Sequence, residues 1–181
     1  MSDLVIKSAN GHLPREWFDS ICLIHDEVFL RAPFSWDSNT SPRNVESLGR
    51  LAEDSSSRVI VAEHEDEVIG YSYGHRLPVD HGWWRSISDP LPADFTEEWT
   101  GRTFAFTSLA LLPAWRGRGI GKRLIDELLR TRTEERAVLS VQPSAIETQS
   151  IYRHLGWRLV GRNGPFPDVE PPCWEVYVLE V

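Results

Sequence analysis

The chain has only two cysteines, Cys22 and Cys173, in 181 residues. Two thiols so far apart give neither the clustered ligands of a metal site nor the framework of a disulfide scaffold, so no metal is expected. Cys22 falls on the apolar side of a helical pattern and reads as a small core residue. No apolar run approaches the ~20 residues needed to span a bilayer, so no membrane partner is expected. A basic stretch, apolar stretch and cleavage site are missing from the start, and cytoplasmic residence is the expectation. Excess positive charge is also lacking: 19 Lys and Arg face 27 Asp and Glu, for a formal net charge of -8. That balance argues against nucleic acid as the main partner, because neutralising phosphates needs a basic face. No repeat or low-complexity tract appears. With 41% hydrophobic and 25% charged residues, residues 1–181 read as a single soluble domain able to bury a sizeable core.

What is present is a basic glycine turn, Arg116-Gly117-Arg118-Gly119-Ile120-Gly121, between a strand-like run and an amphipathic helix. Glycines let the backbone turn tightly and approach a ligand closely. A helix starting near Ile120 leaves its first N–H groups unpaired, with a partial positive charge there. Together these form a cradle for a pyrophosphate, with Arg116, Arg118, Lys122 and Arg123 adding charge. The spacing matches neither of two familiar nucleotide loops. Gly117 to Gly121 encloses too few residues for a Walker A loop, and Lys122 is followed by Arg123 rather than Ser or Thr. Nor is G-x-G-x-G the G-x-G-x-x-G of a dinucleotide fold.

Periodicity places a strand over Leu4–Ala9 and a helix from Pro14 to about Phe29, with Trp17, Ile21, Ile24 and Val28 as its buried stripe. Ser41-Pro42 reads as the cap and first position of a shorter helix. Arg58–Glu63 and Val68–Arg76 form a hairpin around Glu65-Asp66. Pro78–Thr100 is a long irregular stretch whose tryptophans argue against disorder. Thr103–Leu112 is a fourth strand, followed by the glycine turn and a helix to about Thr133, then a strand over Ala137–Val141. Ser144-Ala145-Ile146-Glu147 reads as a capping box opening a further helix, which stops at Gly156. Trp157–Val160 and Trp174–Leu179 are the last strands. The order β-α-α-β-β-β-α-β-α-β-β gives an α/β chain with a mixed sheet and helices on its faces.

Leu109-Ala110-Leu111-Leu112-Pro113 followed by the glycine turn resembles the acyl-CoA-binding motif of the GNAT superfamily of N-acetyltransferases, with Arg116, Gly119 and Gly121 meeting its [Q/R]-x-x-G-x-[G/A] pattern. Tyr152-Arg153-His154-Leu155-Gly156-Trp157 is similar to that family's Y-x-x-x-G-[F/W] signature. The resemblance in element order covers nearly the whole chain, and its motifs cover about Leu109–Trp157. It implies a GNAT fold: a mostly antiparallel, twisted sheet splayed between the fourth and fifth strands. It also implies acetyl-CoA as co-substrate, with cofactor contacts from Leu109, Leu111, Arg116, Gly117, Arg118, Gly119, Ile120, Gly121, Lys122 and Arg123. The pantetheine arm would lie between the parted strands. A backbone N–H near Leu111 would stabilise the oxyanion of the tetrahedral intermediate, and Tyr152 would protonate, or donate a hydrogen bond to, the leaving thiolate.

Two positions depart from the pattern. Where many relatives carry a Glu base on the fourth strand, this chain has Ser108, and where many carry an Asn at the start of the Tyr-bearing helix it has Ala145. The base is therefore open among His75, Asp80, His81, Glu97, Glu98 and a water chain. The resemblance places the acceptor among Phe34, Trp36, Asp80, Trp83, Trp84, Glu98 and Trp99, aromatic and acidic side chains that suit a small cationic amine. A homodimer is compatible with this reading. Alternatives are transfer from another acyl-CoA or a carrier-protein thioester, and an acyl-CoA-binding sensor without catalysis.

Overall fold

The computed structural model describes residues 4–34 and 39–181, so the expectation at Trp36 lies outside the described residues. The elements run β1 (Val5–Asn10), α1 (Arg15–Phe29), α2 (Thr40–Glu53), β2 (Arg58–His64), β3 (Glu67–Arg76), a one-turn α3 (Ala93–Thr96), β4 (Thr103–Leu111), α4 (Ile120–Leu129), β5 (Arg136–Val141), α5 (Ile146–His154), β6 (Arg158–Asn163) and β7 (Trp174–Glu180). Strands follow the order β1-β2-β3-β4-β5-β7-β6. Pairs β1–β2, β2–β3, β5–β7 and β6–β7 are antiparallel, and β4–β5 is parallel. This is the expected mixed, mostly antiparallel sheet. The parallel ladder is short: its register covers Thr103–Ala105 against Arg136–Val138, in strands of nine and six residues. Among the described residues, no helix is long and apolar enough to cross a membrane.

The described residues divide into two compact units. The first holds residues 4–31, 39–75 and 106–132. Its β2 is buried almost throughout, with Val59, Ile60, Val61 and Ala62 fully inaccessible. The β2–β3 hairpin turns through Glu65 and Asp66, both at positive φ (52° and 65°), the conformation whose twist matches flanking strands. The predicted α1 stripe of Trp17, Ile21, Ile24 and Val28 is buried, and His25 joins it. α4 packs on β2 with Ile120, Leu124, Ile125 and Leu128 buried. It ends at Leu129 rather than near Thr133. The buried Arg58 explains the stop: its guanidinium donates to the Glu127 carbonyl at 3.2 and 3.3 Å and to the Glu127 carboxylate at 3.0 Å. It thereby satisfies the carbonyl end that a longer helix would have served.

The second unit holds residues 32–34, 76–105 and 133–181. Its core joins Leu77, Trp84, Ala105, Val138, Val176 and Val178, with Trp83, Ile87, Leu91, Phe95 and Val160 packed against them. The segment before β4 is thus folded rather than structureless: it has a short 3-10 turn over Trp83–Ser86, α3, and an isolated bridge from Ile87 to Asn163.

Two predicted helix caps are corrected. Ser144 does not cap α5, whose boundary residue is Ala145 with no side-chain cap. Gln149 instead reaches back from within the helix, donating to the carbonyls of Gln142 (3.2 Å) and Pro143 (3.0 Å). Ser41 does not cap α2, which starts at Thr40 after Asn39. Its hydroxyl donates instead to Asp26 Oδ1 at 2.8 Å.

Candidate active site

In the first unit, β4 runs through Pro113 into the glycine turn. Gly117 and Gly119 hold φ of 73° and 75°, values that carry a steric penalty for residues with a Cβ. Gly119 is the boundary residue of α4. A Cβ built on Gly117, Gly119 or Gly121 would meet nothing within 4 Å, so open space surrounds the start of the helix. Two exposed arginines brace the turn. Arg116 Nε donates to the Leu111 carbonyl at 3.4 Å, and Arg118 Nη2 to the Ala114 carbonyl at 3.2 Å. Arg118 also lies over the Trp115 ring at 4.8 Å. Lys122 pairs with Asp126 at 2.5 Å one turn along the helix, while Arg123 is exposed.

Leu109 and Leu111 are half-buried at the end of β4. The Leu112 N–H bonds to the Ile69 carbonyl of β3 at 2.9 Å. Since successive residues of a strand alternate, the Leu111 N–H points away from β3. Behind Leu111 stands Gly70, where a Cβ would sit 2.6 Å from Leu111 Cδ1 and 3.0 Å from the Ala110 carbonyl oxygen. Sequence reading missed Gly70, although a lone glycine inside a strand signals such close approach.

Ser108, which stands where the resemblance places a Glu, shares a hydrogen bond with Tyr71 Oη at 3.2 Å. Tyr71 is fully buried and stacked on Tyr73 at 5.7 Å. Tyr73 donates to Asn44 Oδ1 at 3.5 Å, and Asn44 Nδ2 donates to Cys22 Sγ at 4.0 Å. Burial pushes both phenols well above their ordinary pKa. The network is neutral near pH 7. His75, a candidate base, faces Asp54 at 3.5 Å in this unit.

In the second unit, Tyr152 is buried in α5 with its ring edge-on to Trp157 at 5.7 Å. Burial raises its pKa above the usual value, so it keeps its proton across the neutral range. α5 is fixed to β7 at two points: Tyr177 Oη donates to Gln149 Oε1 at 3.1 Å and accepts from Arg153 Nη1 at 3.2 Å. Gln149 has no motif to announce it.

The acceptor candidates of this unit take different positions. Asp80 and Trp99 are exposed; Phe34 and Trp83 are half-buried. Trp84 and Glu98 face inward, the Glu98 side chain being 7% exposed. Glu98 Oε1 accepts from Trp84 Nε1 (2.7 Å), Thr103 Oγ1 (2.8 Å) and Arg136 Nη2 (2.7 Å). Each makes loop structure with the polar group the sequence offers for binding. His81 and Glu97 are exposed. Among the described residues no cluster of His, Cys, Asp or Glu could hold a metal ion.

Comparison with known proteins agrees with this architecture. The sequence model described as the acetyltransferase (GNAT) family matches residues 24–157. Among curated proteins, no significant sequence match is found. Solved structures of the same fold include Arabidopsis thaliana NAA60 in complex with acetyl-CoA (15% identity, TM-score 0.69, covering 99% of this chain and 99% of that one). Another is an N-acetyltransferase from Staphylococcus aureus Mu50 (15% identity, TM-score 0.66, covering 99% of each chain). A GNAT family acetyltransferase from Elizabethkingia anophelis with acetyl-CoA bound is also similar (14% identity, TM-score 0.58, covering 98% of each chain). Sequence motifs, strand order and family match converge: the chain belongs to the acetyltransferase (GNAT) family.

Proposed function

We propose that this chain is an N-acetyltransferase that uses acetyl-CoA to acetylate the primary amine of a small cationic molecule, by direct attack in a ternary complex. The observation that carries the reading is the open glycine turn at the start of α4, where three glycines leave room for a ligand to reach backbone N–H groups. The fit to a pyrophosphate is chemical as well as steric, since the helix N-terminus and Arg123 supply positive charge without a metal. Backbone amides of Gly117–Gly121 would hold the pyrophosphate, with Leu109 and Leu111 beside the pantetheine arm. When bound, acetyl-CoA supplies an acetyl group activated as a thioester.

This chain's residues then have three tasks. The Leu111 N–H, directed away from β3, serves as a donor to the developing oxyanion. Tyr152 Oη holds a proton at neutral pH and gives it to the departing thiolate. Ser108, neutral and held by Tyr71, takes no proton, so the amine enters as its free base, the proton it sheds on becoming an amide passes to water, and water returns one to the Tyr152 oxygen. Exposed Asp80 and Trp99, with half-buried Trp83 and Phe34, favour a cationic acceptor with an apolar body.

The test is thiol release from acetyl-CoA across a panel of aminoglycosides, polyamines, amino-acid derivatives and peptides. An amine-dependent rate supports the reading. Tight CoA binding with no turnover on any amine favours the sensor alternative, for which the absence of a carboxylate at Ser108 is the specific observation. Equal activity from a phosphopantetheine carrier thioester would point to a different donor.

A further inference from the structure

Two arginines hold the segment between β3 and β4, and both reach the Phe95 carbonyl. Arg136, at the start of β5, is buried with its side chain 6% exposed. All three of its nitrogens are engaged: Nε donates to Thr103 Oγ1 (2.9 Å), Nη1 to the Phe95 carbonyl (2.8 Å) and Nη2 to Glu98 Oε1 (2.7 Å). Its guanidinium also lies over the rings of Trp84 (4.6 Å) and Phe95 (4.8 Å). Arg102, just before β4, gathers backbone oxygens. Its Nη1 donates to the carbonyls of Asp94 (3.0 Å), Phe95 (3.5 Å) and Glu97. Its guanidinium covers one face of Trp99 at 4.2 Å, and Nε faces Glu135 at 3.5 Å. The other end of the segment is tied by backbone, with Ser88 N–H to the Arg162 carbonyl and Gly164 N–H to the Ser86 carbonyl, both at 2.9 Å.

We propose that Arg102 and Arg136 are positioning residues that fix the Trp83–Trp99 segment in one shape, against which the amine acceptor is selected. This rests on the acetyltransferase reading above. A mobile cover would leave its carbonyls to water, whereas here those of Asp94, Phe95 and Glu97 converge on Arg102, with that of Phe95 shared with Arg136. A planar fork with five donors can serve several acceptors and stack on a ring at once; an ammonium cannot. The division of labour also sets the charge presented outward. Glu98 is neutralised internally by Arg136, while Asp80, Asp89, Asp94 and Glu97 stay exposed. Arg102 leaves Trp99 43% exposed with one face already covered, so an acceptor meets a fixed indole rather than a swinging one. Arg102 is the more informative residue to change, because it lies outside the buried Arg136–Glu98 pair and its loss leaves that pair intact.

The experiment compares wild type, Arg102→Ala and Arg102→Lys by steady-state kinetics with the best amine of the panel and by amide hydrogen exchange without ligand. Arg102→Ala is expected to raise the acceptor KM about tenfold, with kcat and the acetyl-CoA KM within about twofold, as loss of uniform acceptor binding requires. Exchange over residues 93–99 should quicken, and Arg102→Lys should recover only part of both effects. Unchanged exchange in Arg102→Ala overturns the clamp. Faster exchange with an unchanged acceptor KM, or a parallel rise in both KM values, overturns its role in acceptor selection. A wild type that turns over no amine, despite slow exchange over 93–99, overturns the acetyltransferase reading and this proposal with it.

Discussion

The glycine turn and the tryptophan segment prepare for a ligand in opposite ways. At the turn, side chains have been removed: three glycines face open space, and the flanking arginines brace the carbonyls of Leu111 and Ala114. In the segment, space has been filled: two arginines, a carboxylate and three aromatic rings occupy one another. A chemically constant partner such as a pyrophosphate can be met by backbone alone, since every residue supplies the same N–H. A variable partner needs a shaped surface, and shaping takes side chains locked by each other.

That contrast can be broken at several points, the largest first. Arg136→Met would leave Glu98 buried without its counter-ion, and Glu98 Oε2 is already buried with no partner. Unfolding in urea should show a loss of about 3–5 kcal/mol, with much of it regained when Glu98→Met is added. If the single change were neutral, the filled segment would not be what holds the second unit. Tyr152→Phe should lower kcat about a hundredfold while the acetyl-CoA KM stays within about twofold, the scale of losing a positioned proton donor. An unchanged kcat would remove Tyr152 from the chemistry.

Alanine at the turn separates conformation from access. Gly119→Ala forces a Cβ into the left-handed region and should destabilise by roughly 1 kcal/mol. Gly121→Ala lies at ordinary φ within α4 and should be neutral or stabilising by up to ~1 kcal/mol. Both should weaken CoA binding by about tenfold in calorimetry if close backbone approach matters. CoA binding by Gly121→Ala equal to wild type would reduce the open space to a feature of the helix start. The smallest effect concerns the first unit's stability. Burial holds the His25 pKa below 6.5, against the opposing hydrogen bond that its ring donates to Asp26. The unfolded chain therefore takes up the proton first, and stability should fall as pH drops below about 6.5. Melting of a His25→Gln variant should show a flatter pH dependence across that window.

The periodic features were legible in the sequence. Trp17, Ile21, Ile24 and Val28 repeat at helical spacing because one face of α1 is buried, and Glu65-Asp66 sits where two strand patterns meet. The glycine turn was equally visible, because its backbone needs glycine where side chains would obstruct. What escaped depends on partners distant in sequence. Ser144 satisfies every local rule for a cap, yet Gln149 performs the tie because it reaches Gln142 and Pro143. Glu98 and Trp84 read as binding groups because their residue types are the same whether they face a ligand or Arg136. Arg136 itself has the appearance of a solvated strand end, and only the folded chain brings Phe95, Glu98 and Thr103 to it.

Cys22, half-buried on α1 with Asn44 of α2 beside its sulfur, offers a consequence of a different kind. Burial, together with the charges of Asp26 and Asp19, raises the pKa of this thiol and keeps it protonated. Alkylating reagents attack the thiolate, so Cys22 should be a sluggish target while α1 and α2 stay closed over it. Its modification rate then becomes a clock for local opening of that helix pair, readable by mass spectrometry on the unaltered chain at any temperature below global melting.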